Sequence, residues 1–260
     1  MIRSILSRIV HGPPSEEARL INAASAFARH VPHSFAYRDL TIACTDFLSV
    51  AWQIAETFGE ERIRFEPRDR APLIIDCGAN VGITALYQQQ RHPRARIIAY
   101  EPDPKVFACL ERNLRVNGAQ GVEARRAAVW VHSDGVSFNS DGADGGSVSE
   151  GSAATEVPSL RLREELLAHE RIDLLKIDIE GAETDVLIDC GDVLQRVDRI
   201  FVEYHSHTAR PQRLHELLAV LTANGFRYHL RGIGAAPMQP FLAPPAAPMD
   251  LQLDIHAFRS

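Results

Sequence analysis

The ten residues at 73–82, Leu-Ile-Ile-Asp-Cys-Gly-Ala-Asn-Val-Gly, place the strongest constraint on the fold. An apolar run ending at Asp76 predicts a short buried strand. Gly78, Asn80 and Gly82 then tolerate the backbone angles of a tight turn that lets a ligand approach closely. A helix should follow, and unpaired N–H groups at its N-terminus would favour an anionic ligand group. The segment therefore predicts a strand-turn-helix unit with a binding site at the turn.

A second strand, ending in a carboxylate, follows about twenty residues later. Residues 96–101 read Arg-Ile-Ile-Ala-Tyr-Glu, and Glu101 at the strand tip can accept hydrogen bonds from both hydroxyls of a ribose. The ligand is therefore predicted to be an adenosine derivative. The glycine spacing is G-x-N-x-G rather than the G-x-G-x-x-G of dinucleotide sites, which favours S-adenosylmethionine. Pro102 is expected to lie against adenine, and Asp76 to order the turn or reach the amino group through water.

Length and composition favour one soluble α/β enzyme domain. The chain has 260 residues, 45% of them hydrophobic, enough for a core of that size. A net charge of -6 argues against an extended nucleic-acid surface. No stretch is long enough for a transmembrane segment. The four cysteines lack the spacing of a zinc site and are expected to be reduced thiols, so a cytoplasmic location is predicted.

The first 70 residues are expected to form a helical cap or entrance wall before the cofactor-binding domain at 71–260. Residues 2–10 have helical hydrophobic spacing, which predicts a helix packed on its own fold or on a second subunit of a homodimer; peripheral membrane contact is the alternative. Helices are also predicted at 16–30 and 50–57.

Residues 172–183 predict a central strand with an unusually charged face. Alternation along the strand places Lys176, Asp178 and Glu180 on one side. Burying charges is costly unless they are paired, so charges near the carboxyl end of such a strand usually line a ligand crevice. Asp178 is predicted to be functional, whereas a structural ion pair explains Lys176 equally well.

A matching strand at 199–205 ends with Glu203 and His205 on a common face. If this strand is next in the sheet, both side chains open into the crevice that holds Asp178. His205 is then a candidate proton acceptor, because imidazole titrates near neutrality. An oxygen-rich cluster that includes Glu180 would also suit a divalent ion, magnesium or manganese.

The segments between these strands give weaker signals. Asp103 followed by Pro104 predicts a helix start, and Asn117-Gly118 its end. A third strand is predicted at 122–129. The Gly-, Ser- and Asp-rich residues 133–151 predict a mobile loop or hairpin, either a surface insertion or a lid.

Taken together, these motifs resemble the FkbM family of S-adenosylmethionine-dependent methyltransferases. The resemblance covers residues 73–226 and is carried by IIDCGANVG at 74–82, AYEPDP at 99–104, Asn113 with the Asn117-Gly118 helix end, LLKIDIEGAE at 174–183 and IFVEYH at 200–205. It implies a Rossmann-like class I α/β fold, with a seven-stranded sheet of order 3-2-1-4-5-7-6 and helices on both faces. The last strand should be antiparallel, and residues 226–231 and 251–258 should form the final hairpin.

The resemblance also implies an O-methyltransferase that acts on a hydroxyl of a sugar, polyketide or other secondary metabolite. Transfer from a sulfonium chiefly requires alignment, and a base at the hydroxyl adds about 10² to 10⁴ in rate. Asp178 is the first candidate for that base or for holding the acceptor, with His205 second and Glu203 in the same crevice. Gly78 and Gly82 should admit the methionine part of the cofactor.

Three other functions stay open. A nicotinamide-dependent oxidoreductase would share the β-α-β start, but the glycine spacing disfavours it. A methyltransferase acting on DNA or RNA nitrogen should show an Asn/Asp-Pro-Pro-aromatic segment, and residues 178–181, Asp-Ile-Glu-Gly, do not match. The chain could also be a non-catalytic S-adenosylmethionine-binding partner in a biosynthetic complex.

Overall fold

The computed structural model describes residues 14–139, 147–148, 155–233, 241 and 249–259. The helix predicted at 2–10 and part of the loop predicted at 133–151 lie outside these residues. Within the described ranges, no helix combines the length and apolar character that crossing a bilayer requires.

Within the described residues, seven strands form the central sheet: β1 (Leu73–Cys77), β2 (Arg96–Tyr100), β3 (Val122–Arg125), β4 (Leu174–Ile177), β5 (Arg199–His207), β6 (Arg227–Gly232) and β7 (Met249–Phe258). The strands β1, β2, β4 and β5 are mostly buried, whereas β6 at the edge is exposed. Their order across the sheet is 3-2-1-4-5-7-6, and β7 runs antiparallel to both neighbours. The predicted fold class, strand order and final hairpin are confirmed. Because β1 to β5 are parallel, their carboxyl ends meet along one edge of the sheet.

Helices cover both faces of this sheet: α1 (Glu16–Ala24), α2 (Phe47–Ile54), α3 (Ile83–Arg91), α4 (Pro104–Val116), α5 (Leu162–Leu167), α6 (Glu183–Asp189) and α7 (Leu214–Ala223). The first four share one apolar core with one face of the sheet, and the last three share a second core with the other face. Helix α4 begins as predicted, because the Asp103 carboxylate accepts the N–H groups of Lys105 and Val106.

The N-terminal segment is less helical than predicted. It contains a hairpin, His33–Tyr37 paired with Leu40–Cys44, and a five-residue π-helical turn at Ala55–Gly59 that continues α2. The helix predicted at 16–30 ends at Ala24. The chain turns away there, and the His30 N–H donates to the Asp46 carboxylate at 2.6 Å.

Two asparagines, one of them buried, join this segment to the rest of the molecule. The Asn113 side chain on α4 accepts the Ala43 N–H at 2.7 Å and donates to the carbonyls of Ala43 and Val81 at 2.8 and 2.9 Å. Asn117 makes an equivalent pair of bonds with the backbone of Thr41. The edge of the hairpin is thus bonded to α4 rather than to another strand.

The predicted third strand proves to be two strands. Val122–Arg125 joins the central sheet, whereas Ala128–Trp130 pairs with Ser159–Arg161. The chain changes partner after Arg125, and the Ala128 N–H donates to the Pro158 carbonyl. Beyond it, the described part of the predicted loop belongs to a small antiparallel sheet of Val136–Asn139, Ser147–Val148 and Thr155–Val157, which agrees with the hairpin alternative.

Candidate active site

A cavity of about 440 Å³ opens at the carboxyl ends of the parallel strands. Its walls come from the tips of β1, β2, β4 and β5, from α2 with its π-helical turn, and from β7. This edge, where the strand order reverses, is where α/β folds usually bind ligands.

The turn after β1 donates its N–H groups to the protein itself. The N–H groups of Gly78 and Ala79 donate to the Tyr100 carbonyl, at 3.0 and 2.8 Å. The next three, at residues 80–82, donate to the carboxylate of Glu101, the side chain of Asn80 and the carbonyl of Ala79. The N–H groups of residues 78–82 are therefore bonded within the protein, and the helix whose N-terminus was expected to offer unpaired N–H groups begins at Ile83. Bonding to the end of β2 fixes the shape of the turn.

Glu101 organises this turn from the tip of β2. Its two carboxylate oxygens accept the N–H groups of Asn80, at 3.0 Å, and Asp103, at 2.9 Å. The side chain lines the cavity although the residue is only 6% exposed. Burial raises the pKa of Glu101 to about 8, despite these two N–H donors. Each oxygen keeps a further lone pair for a ligand hydroxyl.

The structure divides the predicted cofactor residues into two groups. Those that line the cavity are Gly78, Asn80, Glu101, Pro102 and Asp178. Asp76 and Gly82 are not part of its wall. Gly82 has a φ of 92° at the start of α3, and a Cβ there would lie 2.7 Å from Leu110 Cδ1. Its position indicates helix packing rather than ligand access.

Asp76 forms a buried ion pair beneath the turn. Lys176 Nζ lies 3.2 Å from Asp76 Oδ1 and 3.2 Å from Asp178 Oδ2, and it donates to the Gly78 carbonyl at 2.5 Å. Burial alone would lower the pKa of Lys176, but Asp178 and Asp76 outweigh it and raise that pKa. Lys176 thus holds the ends of β1 and β4 together.

Gly78 is required by its contact with the chain that follows β4. A Cβ on Gly78 would lie 1.8 Å from the Asp178 carbonyl oxygen, and its φ is 83°. No side chain fits there without moving the backbone. The turn and the residue carrying the predicted catalytic carboxylate are therefore in direct contact.

Asp178, Glu203 and His205 come together across β4 and β5. One potential metal-binding atom from each lies within 4.8 Å of the others. Burial raises the pKa of Asp178 to about 6 against the attraction of Lys176. Burial alone would lower the pKa of His205, but nearby carboxylates, Glu183 first, raise it well above its usual value. The site can hold a proton or a cation between these side chains.

Glu183, a buried carboxylate at the start of α6, orients His205. Its Oε1 lies 2.9 Å from His205 Nδ1 and accepts the N–H groups of Ile179, at 3.2 Å, and Gly181, at 3.0 Å. A proton on Nδ1 therefore points at Glu183, and Nε2 faces the cavity cluster. Nε2 lies 3.6 Å from Glu203 Oε1 and 3.4 Å from the Gln252 amide. Glu183 is the last residue of the motif at 174–183, but no role was predicted for it from the sequence.

A further polar group, missed from the sequence, joins two cavity-lining residues, Glu56 and Arg62, to the buried Asp254. Glu56 Oε1 in the π-helical turn lies 3.0 Å from Arg62 Nη2, and Arg62 Nη1 lies 3.4 Å from Asp254 Oδ2 on β7. Burial raises the pKa values of Glu56 and Asp254 to about 7. The only sequence signal was the alternation of polar residues along β7.

The chain matches a known protein family and several characterised relatives. The sequence model of the family described as "Methyltransferase FkbM domain" matches residues 76–228. The chain is 30% identical over 204 residues to the AMB antimetabolite synthetase AmbE of Pseudomonas aeruginosa, covering 61% of this chain but 10% of that protein. It is 28% identical to the 31-O-demethyl-FK506 methyltransferase FkbM of Streptomyces tacrolimicus, covering 59% of this chain and 72% of that one.

Among solved structures, the fold is similar to that of M. jannaschii TYW2 in complex with AdoMet. The TM-score is 0.50 at 13% identity, and the match covers 90% of this chain and 89% of that one. At this identity the likeness concerns the fold alone.

Proposed function

The chain belongs to the FkbM family of S-adenosylmethionine-dependent methyltransferases, and from this premise we propose that it methylates a hydroxyl oxygen of a small molecule. One observation carries the proposal. The same cavity contains the Glu101 turn, suited to a nucleoside, and the Asp178, Glu203 and His205 cluster, suited to a hydroxyl.

The charge of the cavity wall supports a positively charged cofactor. Its acidic side chains outnumber its basic ones, six to three: Glu56, Glu101, Asp103, Asp178, Glu180 and Glu203 against Arg62, Lys176 and His205. S-adenosylmethionine carries a positive sulfonium, a positive ammonium and one negative carboxylate. Its net positive charge would reduce this imbalance. Glu101 would hold the ribose, Pro102 would contact the adenine, and Gly78 with Asn80 would lie beside the methionine part.

The proposed chemistry needs alignment and one proton acceptor. S-adenosylmethionine supplies an activated methyl group on sulfur. In this proposal Asp178 accepts the proton of the acceptor hydroxyl or holds that hydroxyl, and His205 Nε2 is the second candidate. A carboxyl with a pKa of about 6 can take up a proton near neutrality and release it again.

We include a divalent cation, magnesium or manganese, in this proposal. Asp178, Glu203 and His205 would be its ligands, and the carboxylate of Glu183 on His205 Nδ1 is the arrangement that commonly supports a metal-binding histidine. Such an ion would lower the pKa of a bound hydroxyl. It would also offset the carboxylate excess of the wall.

Metal binding is expected to be measurable without turnover. Mn²⁺ titrated calorimetrically into the chelator-treated protein should bind one site, and Glu203→Gln should weaken that binding at least tenfold by removing a ligand. Glu216→Gln, a carboxylate on the exposed side of α7, is the matched control. Equal Mn²⁺ affinity in wild type and Glu203→Gln would remove the ion from the proposal.

Removing Glu183 is expected to disturb His205 more than the fold. Glu183→Gln keeps an oxygen for the three hydrogen bonds, whereas Glu183→Ala removes it, so turnover should fall at least tenfold in the alanine variant and less in the glutamine variant. The ¹⁵N shifts of His205 should report loss of the Nδ1–H form only in Glu183→Ala. Glu165→Gln, at another buried glutamate–histidine pair, is the control for lost stability. Unchanged ¹⁵N shifts in Glu183→Ala would contradict this positioning role.

Partners are part of the same proposal. The acceptor would be a small hydroxylated molecule, and a homodimer through the N-terminal helix stays a prediction because that helix lies outside the described residues.

The direct test of the proposed methyl transfer is incubation with ¹³C-methyl S-adenosylmethionine and fractionated metabolites. The ¹³C shift of the product methyl separates O-methylation from N-methylation. Absence of S-adenosylmethionine binding, or labelling only at nitrogen, would contradict the proposal.

A further inference from the structure

Glu56 and Arg62 form the cavity wall next to β7, and Asp254, which is fully buried and does not line the cavity, pairs with Arg62 from that strand. Asp254 is paired in register with Glu203, one strand farther along the sheet. Across the sheet from β2 through β1 and β4, Glu101, Gly78 and Asp178 directly follow their strands. On the next two strands, Glu203 lies within β5 and Asp254 lies opposite it within β7. With about 4.8 Å between strands, Asp254 stands roughly 19 Å from Glu101. A molecule that reacts beside Asp178 would therefore extend toward this wall.

None of these three residues falls within the segment that the family model matches, residues 76–228. Two come from the N-terminal segment and one from the last strand. They are thus suited to a feature that differs between members, such as recognition of the acceptor.

The guanidinium group of Arg62 is largely buried and not fully hydrogen-bonded. Arg62 lines the cavity with a side chain only 10% exposed, and its Nη1 has no hydrogen-bond partner within the described part of the chain. Asp254 Oδ2 lies 3.4 Å from that Nη1, but Asp254 is fully buried and does not line the cavity, so Arg62 is the member of the pair that a ligand can reach. Buried polar atoms in this state are costly, and a ligand that bonds to them is favoured.

The arrangement of these groups fits hydroxyls better than ions. A hydroxyl can donate to a carboxylate and accept from a guanidinium at once, so two adjacent hydroxyls can bridge Glu56 and Arg62. Arg62 already faces Glu56, Glu60 and Asp254, so it has no surplus charge for an anionic ligand. A carboxylate or phosphate on the acceptor would meet net negative charge.

An aromatic ring completes the wall. Trp52 lines the cavity from α2, is 52% exposed, and precedes Glu56 by four residues, so the two share one helical face. An exposed indole offers an apolar surface to the C–H face of a saturated ring.

We propose that Glu56 and Arg62, with Trp52 beside them, form the acceptor-recognition subsite, and that it selects a neutral acceptor carrying adjacent hydroxyls on a saturated ring. This inference rests on the proposed methyl transfer and names the class of acceptor for it. The subsite binds the acceptor through a diol and excludes anionic relatives of the same size.

Saturation-transfer NMR on the full chain loaded with S-adenosylhomocysteine tests this directly. The probes are cis-1,2-cyclohexanediol, cyclohexanol and glucuronate at equal concentration. The diol should show at least five times the saturation of either other probe. Glu56→Gln, which keeps the shape but removes the charge, should at least halve the diol signal. Glu60→Gln is the matched control, because Glu60 bonds Arg62 at 2.9 Å but does not line the cavity.

The outcomes separate the two proposals. Binding of glucuronate as strong as that of the diol, equal diol signals in wild type and Glu56→Gln, or no signal from any probe would overturn the subsite. Calorimetry of S-adenosylhomocysteine on the same samples reads the cofactor site independently. Cofactor affinity should stay within twofold in Glu56→Gln, and its absence from the wild type would instead contradict the proposed function.

Discussion

Replacing Glu101 with alanine is expected to reduce S-adenosylmethionine affinity at least a hundredfold in calorimetry. A hydrogen bond contributes up to about 1.5 kcal/mol when neither group is charged and more when one is, and the carboxyl group of Glu101 would bond two ribose hydroxyls. Loss of about 3 kcal/mol corresponds to a factor of about one hundred. The same carboxylate also accepts the N–H groups of Asn80 and Asp103, so the variant loosens the turn as well.

A second buried carboxylate separates these two effects. Asp173 accepts the Leu73 N–H at 3.0 Å at the opposite end of β1, far from the cavity wall. Asp173→Ala should therefore lower the unfolding temperature without weakening the cofactor. If Glu101→Ala binds S-adenosylmethionine as the wild type does, Glu101 is not a ribose ligand.

Replacing Asp178 with asparagine is expected to reduce turnover at least a hundredfold and to leave cofactor affinity within a few-fold. Asparagine keeps the size of the side chain but cannot accept a proton at neutral pH or supply the charge a metal ligand needs. A positioned base contributes about 10² to 10⁴ in rate. Single-turnover kinetics with saturating S-adenosylmethionine would isolate the chemical step.

Asp185→Asn is the control for Asp178→Asn. Asp185 lies on α6 soon after the same turn and pairs with Arg213 outside the cavity, so its loss should leave the rate unchanged. Near-normal turnover in Asp178→Asn would shift the base role to His205 or another group of the wall.

The residues at the tips of the parallel strands were accessible to sequence reasoning. Glu101, Asp178 and Glu203 each follow an apolar run, and alternation along a strand predicts which neighbours share a face. Parallel strands bring such tips to one edge, so the cluster can be assembled from local patterns alone. The strand order came from the family resemblance, because no local pattern specifies which strands are neighbours.

The residues of the proposed acceptor-recognition subsite could not be predicted in the same way. Gln252, Asp254 and His256 alternate with apolar residues along β7, a pattern identical to that of a strand with one solvent-exposed face. Only the approach of the N-terminal segment turns that face into a cavity wall. Glu56 and Arg62 depend on the same long-range contact, and the π-helical turn that presents Glu56 has no clear signature in five residues.

The predicted ends of the first helix and the third strand were wrong because tertiary contacts, not the local sequence, determine where these elements stop. The first helix stops at Ala24 because the chain beyond it turns to meet Asp46, a residue more than twenty positions later. The third strand divides after Arg125, whose side chain bonds the buried Glu165 of α5 at 2.9 Å, and the chain then pairs with Ser159–Arg161.

The hydrogen bonds of Asn113 make the N-terminal segment and the cofactor-binding part depend on each other for stability. Cleavage near residue 70 would not free a self-sufficient cofactor half, since the amide of Asn113 would lose Ala43 and an apolar face of α3 and α4 would meet water. A protease that nicks this junction should yield two pieces that still migrate together until denatured. Changing the proposed acceptor-recognition subsite, in evolution or by engineering, would then require substitutions within an intact chain. Exchanging the whole N-terminal segment between relatives would not be enough.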